Sequence, residues 1–187
     1  MNILVVDNHD SFVYNIVHLL DAFNIAKITV VKNDALHLES VNQFDKIVLS
    51  PGPGLPGDAG LMPELINKYI FKKPILGVCL GHQAIVEHFG GSLKNLENPL
   101  HGISTRVKVI SDDYLFDNLP ESFEIGHYHS WVVKQPLPEV LQATSMDEFG
   151  NVMSFKHQIF DIRGVQYHPE SILTPLGRQI LENWLRH

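Results

Sequence analysis

The sequence predicts an α/β protein: a central, mostly parallel sheet flanked by helices, with an additional antiparallel section. Three observations carry this. Short continuous apolar runs alternate with helical patterns through the first half, the signature of strands buried on both faces with helices packed across them. The second half holds short strand-like segments separated by turns. One apolar strand also runs without a break into a helix through the only cysteine, Cys79.

The elements follow in order. Ile3–Val6 is the first buried strand. Phe12, Ile16, Leu19, Leu20 and Phe23 then recur at helical spacing, with Asp10 or Ser11 as the expected N-cap. Ile28–Val31 and Lys46–Leu49 read as the second and third strands. Ser50–Gly57, with its alternating prolines and glycines, is a stiff turn. A helix over Leu61–Ile70, a strand over Pro74–Val78 and a helix from Leu80 to Gly90-Gly91 complete the alternating part. Beyond it, Arg106–Ile110, Ser130–Val133, Val152–Phe155 and Gly164–Gln166 are short strands. Ile180, Leu181, Trp184 and Leu185 mark a last amphipathic helix. No linker, repeat or low-complexity stretch divides the chain, so residues 1–187 are expected to form a single domain.

Composition narrows the function. With 14 basic and 21 acidic residues the net charge is −7, and no basic block exists to meet nucleic acid or an anionic membrane. A single cysteine allows neither an internal disulfide nor a cysteine-only zinc site. The opening residues read as no secretory leader, and no apolar run reaches the ~20 residues of a membrane span. A cytoplasmic protein is expected.

The chemistry concentrates at Gly77-Val78-Cys79-Leu80-Gly81. Glycines two places either side of a nucleophile, at a strand-to-helix turn, form the elbow that lifts a reactive side chain out of a sheet. The helix behind it turns its partial positive charge toward the sulfur and favours a thiolate. The Leu80 amide is then free to hold an oxyanion. A lone cysteine is more often an inert core residue; the glycines and the strand-to-helix context argue otherwise here. A base and its orienter are needed. His168 follows a strand, so it falls at a carboxyl edge of the sheet; Pro169 keeps it out of a helix, and Glu170 is placed to fix its tautomer.

Gly52-Pro53-Gly54-Leu55-Pro56-Gly57 matches the spacing of a dinucleotide-binding loop, but three prolines (51, 53 and 56) remove amide donors a phosphate requires. No acidic residue ends a strand about 20 positions on, where Gly77 lies instead. The loop fits better as a wall of an amino-acid-sized pocket, with Gly52 as a second oxyanion donor. His127 and His129 share a strand face, yet no third ligand is evident and no metal is expected. Arg106 and Lys108 read as solvated surface.

Taken together, Asp7-Asn8-x-Asp10-Ser11-Phe12, Ser50-Pro51-Gly52-Pro53-Gly54, the Cys79 elbow with His82-Gln83, Tyr128-His129-Ser130 and His168-Pro169-Glu170-Ser171 resemble the class I (triad) glutamine amidotransferases. The likeness spans essentially the whole chain. It implies a flavodoxin-like fold, Cys79 as nucleophile, His168 as acid and base, Glu170 as its orienter, and oxyanion amides from Gly52 and Leu80. It also implies a glutamine pocket lined by Gly52, Pro53, Gly54, Leu80, Gln83, Ser130 and Trp131, with no cofactor. The first motif resembles the branch that serves chorismate-using synthases, either anthranilate synthase component II or its aminodeoxychorismate counterpart. The implied partners are L-glutamine and a separate synthase subunit, for which this chain has no room. Three positions depart from the family pattern: His9 replaces a tyrosine, Trp131 a leucine and Ile103 a lysine. None touches the triad, although Ile103 alters the charge of a loop expected near the synthase. A γ-glutamyl cysteine hydrolase using the same elbow, or a scaffolding module with a fossil site, are the alternatives.

Overall fold

Strand β1 (Asn2–Asp7) carries Ile3, Leu4, Val5 and Val6, all within 1% of full burial. The computed structural model describes residues 1–187. β1 lies inside a nine-stranded sheet of order β2-β1-β3-β4-β9-β8-β7-β5-β6. Its parallel part comprises β2 (Lys27–Lys32), β1, β3 (Lys46–Leu49), β4 (Ile75–Val78) and β9 (Ile162–Val165). The rest is antiparallel: β8 (Val152–His157), β7 (Leu141–Asp147), β5 (Leu93–Val109) and β6 (Ser122–Val133).

Alternate residues of each parallel strand enter different cores. Ile3, Val5, Val48 and Leu76 pack with α1 (Val13–Asp21) and α4 (Gly177–Arg186). Leu4, Val6, Ile47 and Leu49 pack with α2 (Met62–Tyr69) and α3 (Leu80–His88). Both faces are therefore covered, which is why these strands read as unbroken apolar runs. No helix is long and apolar enough to cross a membrane.

Four expectations need correction, and one strand was not expected at all. The first helix is preceded by Phe12, and no side chain caps it; Asp10 instead accepts from the Phe12 amide at 2.7 Å, closing a turn just ahead of the helix. The expected strand over Arg106–Ile110 is only the end of 17-residue β5, and that over Ser130–Val133 only the end of β6. Most of β5 is exposed, and register shifts at Asn95/Leu100 and His101/Ile103 break the alternation that marks a strand in sequence. β7 escaped notice because its core is polar. Thr144, Ser145 and Ser154 are fully buried, with the Ser154 hydroxyl 2.6 Å from each of the other two. The last short strand also stops earlier than expected, at Val165, leaving Gln166 beyond it.

Candidate active site

The carboxyl ends of β1, β3, β4 and β9 meet at one edge of the sheet, and the residues singled out by sequence collect there. At the end of β4 the chain turns sharply through Cys79, whose φ of 51° and ψ of −100° lie outside the regions an L-residue normally occupies. Such a conformation costs about 1–3 kcal/mol and persists only when its surroundings enforce it. Here the Cys79 amide donates to the Val165 carbonyl at 2.8 Å. The flanking glycines let three backbones touch. A Cβ on Gly77 would stand 2.5 Å from the Gly81 carbonyl, and one on Gly81 would stand 2.4 Å from that of Leu49.

Beside this elbow runs the Ser50–Gly54 loop. Asn8, at the end of β1, clamps it: its amide donates to Ser50 Oγ and its Nδ2 to the Ser50 carbonyl, both at 2.9 Å. Asn33 Nδ2 in turn donates to Asn8 Oδ1 at 3.1 Å. Gly52 is pressed so closely on Asn8 and Leu80 that a Cβ there would lie within 2.6 and 2.7 Å of them. The amides of Gly52 and Leu80 donate to no acceptor in the protein. They therefore remain available to an oxygen beside the sulfur.

A cavity of about 230 Å³ opens onto the sulfur, lined by Gly52, Pro53, Gly54, Cys79, Gln83, Tyr128, His129, Ser130 and Trp131. Cys79 keeps 6% of its surface exposed, so it is buried but not walled off. One wall comes from the loop after β3, the floor from the elbow, and the far wall from β6. Larger concavities occur elsewhere, but none reaches the protein's one cysteine.

His168 and Glu170 stand on the turn after β9. The His168 Nδ1 lies 2.7 Å from Glu170 Oε1, with both side chains buried. Burial draws the imidazole pKa down, but hydrogen bonding and charge pairing with Cys79 and Glu170 outweigh it and hold the ring up at about 10. With Nδ1 engaged by Glu170, the ring's Nε2 has no partner in the fold other than the neighbouring Cys79 sulfur. Phe12 and Tyr128 pack their rings on His168 at 5.4 and 5.0 Å and fix its plane. The Thr174 hydroxyl donates to the His168 carbonyl at 2.7 Å and accepts from the Gly126 amide at 2.9 Å, tying this turn to β6.

Every site residue expected from sequence lies in this region. Others were given no role: Asn8, Phe12 and Tyr128, quoted only as parts of motifs, form the clamp on the loop and the vice on His168, and Gln166 reaches the Cys79 sulfur with its Nε2 at 3.6 Å. Gln166 did carry a signal, as a lone amide between Val165 and Tyr167. His127 and His129 form a hydrogen-bonded pair at 3.0 Å, and Thr105 holds the outer ring at 2.7 Å. Burial lowers the pKa of both, that of His129 to about 3, so the pair is neutral at physiological pH.

Chemically, the arrangement offers a nucleophile, a buried protonatable ring and two unengaged amides around a cavity the size of one amino acid. The profile of the family described as "Glutamine amidotransferase class-I" matches residues 4–187. Anthranilate synthase component 2 of Lactococcus lactis is 40% identical over 186 residues, covering 98% of this chain and 93% of that protein. Aminodeoxychorismate synthase component 2 of Escherichia coli is 38% identical over 186 residues, covering 98% of each. A solved glutamine amidotransferase from Thermotoga maritima superposes over 100% of this chain and 99% of its own with a TM-score of 0.83; at 16% identity it speaks for the fold.

Proposed function

This chain belongs to the class I glutamine amidotransferase family, and we propose that it is the glutaminase subunit of an anthranilate synthase. In this reading it hydrolyses L-glutamine to glutamate and passes ammonia to a partner that acts on chorismate. The observation that carries the reading is the strained Cys79 elbow at the floor of a cavity, with the His168–Glu170 pair beside it.

The proposed chemistry uses each group once per half-reaction. The Cys79 thiolate adds to the side-chain amide carbon of glutamine, and the Gly52 and Leu80 amides receive the negative charge that develops on oxygen. His168, kept protonated by Glu170, gives its proton to the departing nitrogen, so ammonia leaves and a glutamyl thioester remains. Water then attacks the thioester as His168 takes a proton, releasing glutamate and restoring the thiolate. Pro53, Gly54, Gln83, Ser130 and Trp131 form the walls that hold the amino-acid end. No cofactor enters any step.

Free ammonia in water is protonated and lost as a nucleophile, so it must pass directly to the enzyme that uses it. A bare face around the site supports such docking: Ile172, two residues after Glu170, is 92% exposed, and Ile103 on β5 is 41% exposed. Isolated, the chain should hydrolyse glutamine slowly, and an added synthase subunit should raise the rate at least ten-fold. Equal rates with and without it would remove the coupling. The Escherichia coli relative supports a second reading, in which the partner makes aminodeoxychorismate, or one subunit serves both enzymes. Pull-down from native cytoplasm, the location proposed for this protein, followed by assay of the captured synthase with chorismate, decides between them.

A further inference from the structure

Gln166 sits one residue beyond β9, fully buried, with one end of its amide toward Cys79. An amide can be turned either way in principle, and only its surroundings say which end faces the sulfur. Here a chain of partners fixes the answer. The Trp131 carbonyl can only accept, so the Gln83 atom 2.9 Å from it must be the donor Nε2. That same Nε2 lies 3.1 Å from Gln166, so Gln166 must offer it an acceptor, Oε1. The other end, the Nε2 donor, therefore points at Cys79 Sγ, 3.6 Å away, an ordinary length for a hydrogen bond to sulfur.

From this geometry we infer that Gln166 is a further functional residue of the site, a neutral donor that holds the Cys79 sulfur as the anion and aims it into the cavity. A hydrogen bond donated to a charged acceptor is stronger than one to its neutral form, so a donor locked in this direction favours thiolate over thiol. The inference rests on the glutaminase reading given above and adds to it a link. Gln83 and Trp131 line the cavity, so the amide that steadies the sulfur is itself held by the wall that would receive glutamine. The ionisable groups near the sulfur are His168 with Glu170 behind it, and Tyr128 and His129 on β6, with His127 beyond. His129 directs its Nε2 at His127 and His82 packs its ring on Phe155, so neither hydrogen-bonds to the sulfur, and burial keeps both rings uncharged.

The test is the pH dependence of Cys79 alkylation by iodoacetamide in the unaltered protein and in Gln166→Met, which keeps length and volume but removes the donor. The alkylation midpoint should rise by about one pH unit, and kcat for glutamine in the synthase complex should fall about ten-fold with KM within two-fold. Unchanged midpoint and kcat would overturn the inference and leave the glutaminase reading standing. A protein whose Cys79 resists alkylation at every pH would remove both. Should Gln166→Met fail to fold, the unaltered protein supplies the answer by proton NMR. The Gln166 side-chain amide resonance should titrate with the alkylation midpoint and cease to do so in Cys79→Ser; a resonance that ignores Cys79 overturns the inference.

Discussion

The two parts of the sheet are built on different physics. In the parallel part, β1, β3 and β4 are buried on both faces by aliphatic side chains, and the strands end at the sulfur, the clamp and the glycine loop. In the antiparallel part, β7 and β8 join through buried hydroxyls, β5 is largely exposed and bulged, and β6 gives the cavity its far wall. Apolar packing without slack supports the turn that carries Cys79. The antiparallel section, open to solvent along β5, is irregular and polar. Under the proposed function the parallel part holds the reacting groups, while the antiparallel part supplies only the far wall of the cavity.

The sharpest way to break that division is Cys79→Ser set against Trp131→Phe. The first should lower glutamine-dependent synthesis by about 10³-fold or more while ammonia-dependent synthesis by the partner persists. The second keeps the main-chain carbonyl that Gln83 uses, and should change KM by less than about five-fold, under 1 kcal/mol. Loss of both synthetic activities in Cys79→Ser would make the sulfur structural.

Packing offers the next contrast. Gly81→Ala places a Cβ 2.4 Å from the Leu49 carbonyl, and urea denaturation should show a loss of about 3 kcal/mol. Gly102→Ala in β5 meets nothing closer than 4.0 Å; only its φ of 67° opposes it, for about 1 kcal/mol. Equal losses would mean the parallel part is no tighter than the other.

Buried histidines should give the stability–pH curve opposite slopes at its two ends. His168 is raised from 6.5 to about 10, so the folded state holds a proton there that the unfolded chain releases. Its contribution is complete below about pH 6.5 and is lost as pH rises toward 10. His129 is lowered to about 3, so its contribution is present above pH 6.5 and is lost as pH falls toward 3; His82 acts in the same direction. Each group tilts the curve by at most about 1.4 kcal/mol per pH unit. Urea titrations across pH should show Glu170→Gln flattening the alkaline limb, because the carboxylate supporting His168 is gone. An unaltered alkaline limb would mean that Glu170 does not sustain the charge.

The smallest effect on the isolated chain belongs to Ile172→Glu, which should leave stability within about 0.5 kcal/mol. It should nonetheless weaken association with the synthase, readable by titration calorimetry.

How much of this could be read from residues follows the same division. β3 was placed to the residue, since Lys46–Leu49 is bounded by polar neighbours and a proline turn. The elbow was legible because its glycines answer a steric need close in sequence. β7 was invisible because Thr144 and Ser145 fill the core by pairing hydroxyls with Ser154, a partner that periodicity cannot see. The roles of Asn8 and Gln166 were missed for a related reason: they lie in what these side chains reach, 42 and 87 positions away.

The position of β9 between β4 and β8 has a consequence for synthesis on the ribosome. The strand that completes the middle of the sheet is the last strand to emerge, and the imidazole rides just behind it. Until then the β4 edge lacks its neighbour, and the thiol lacks the imidazole that the proposed mechanism pairs with it. A nascent chain stalled before residue 162 should therefore carry a cysteine no more reactive than a free thiol, so the growing polypeptide is chemically harmless until its sheet can close.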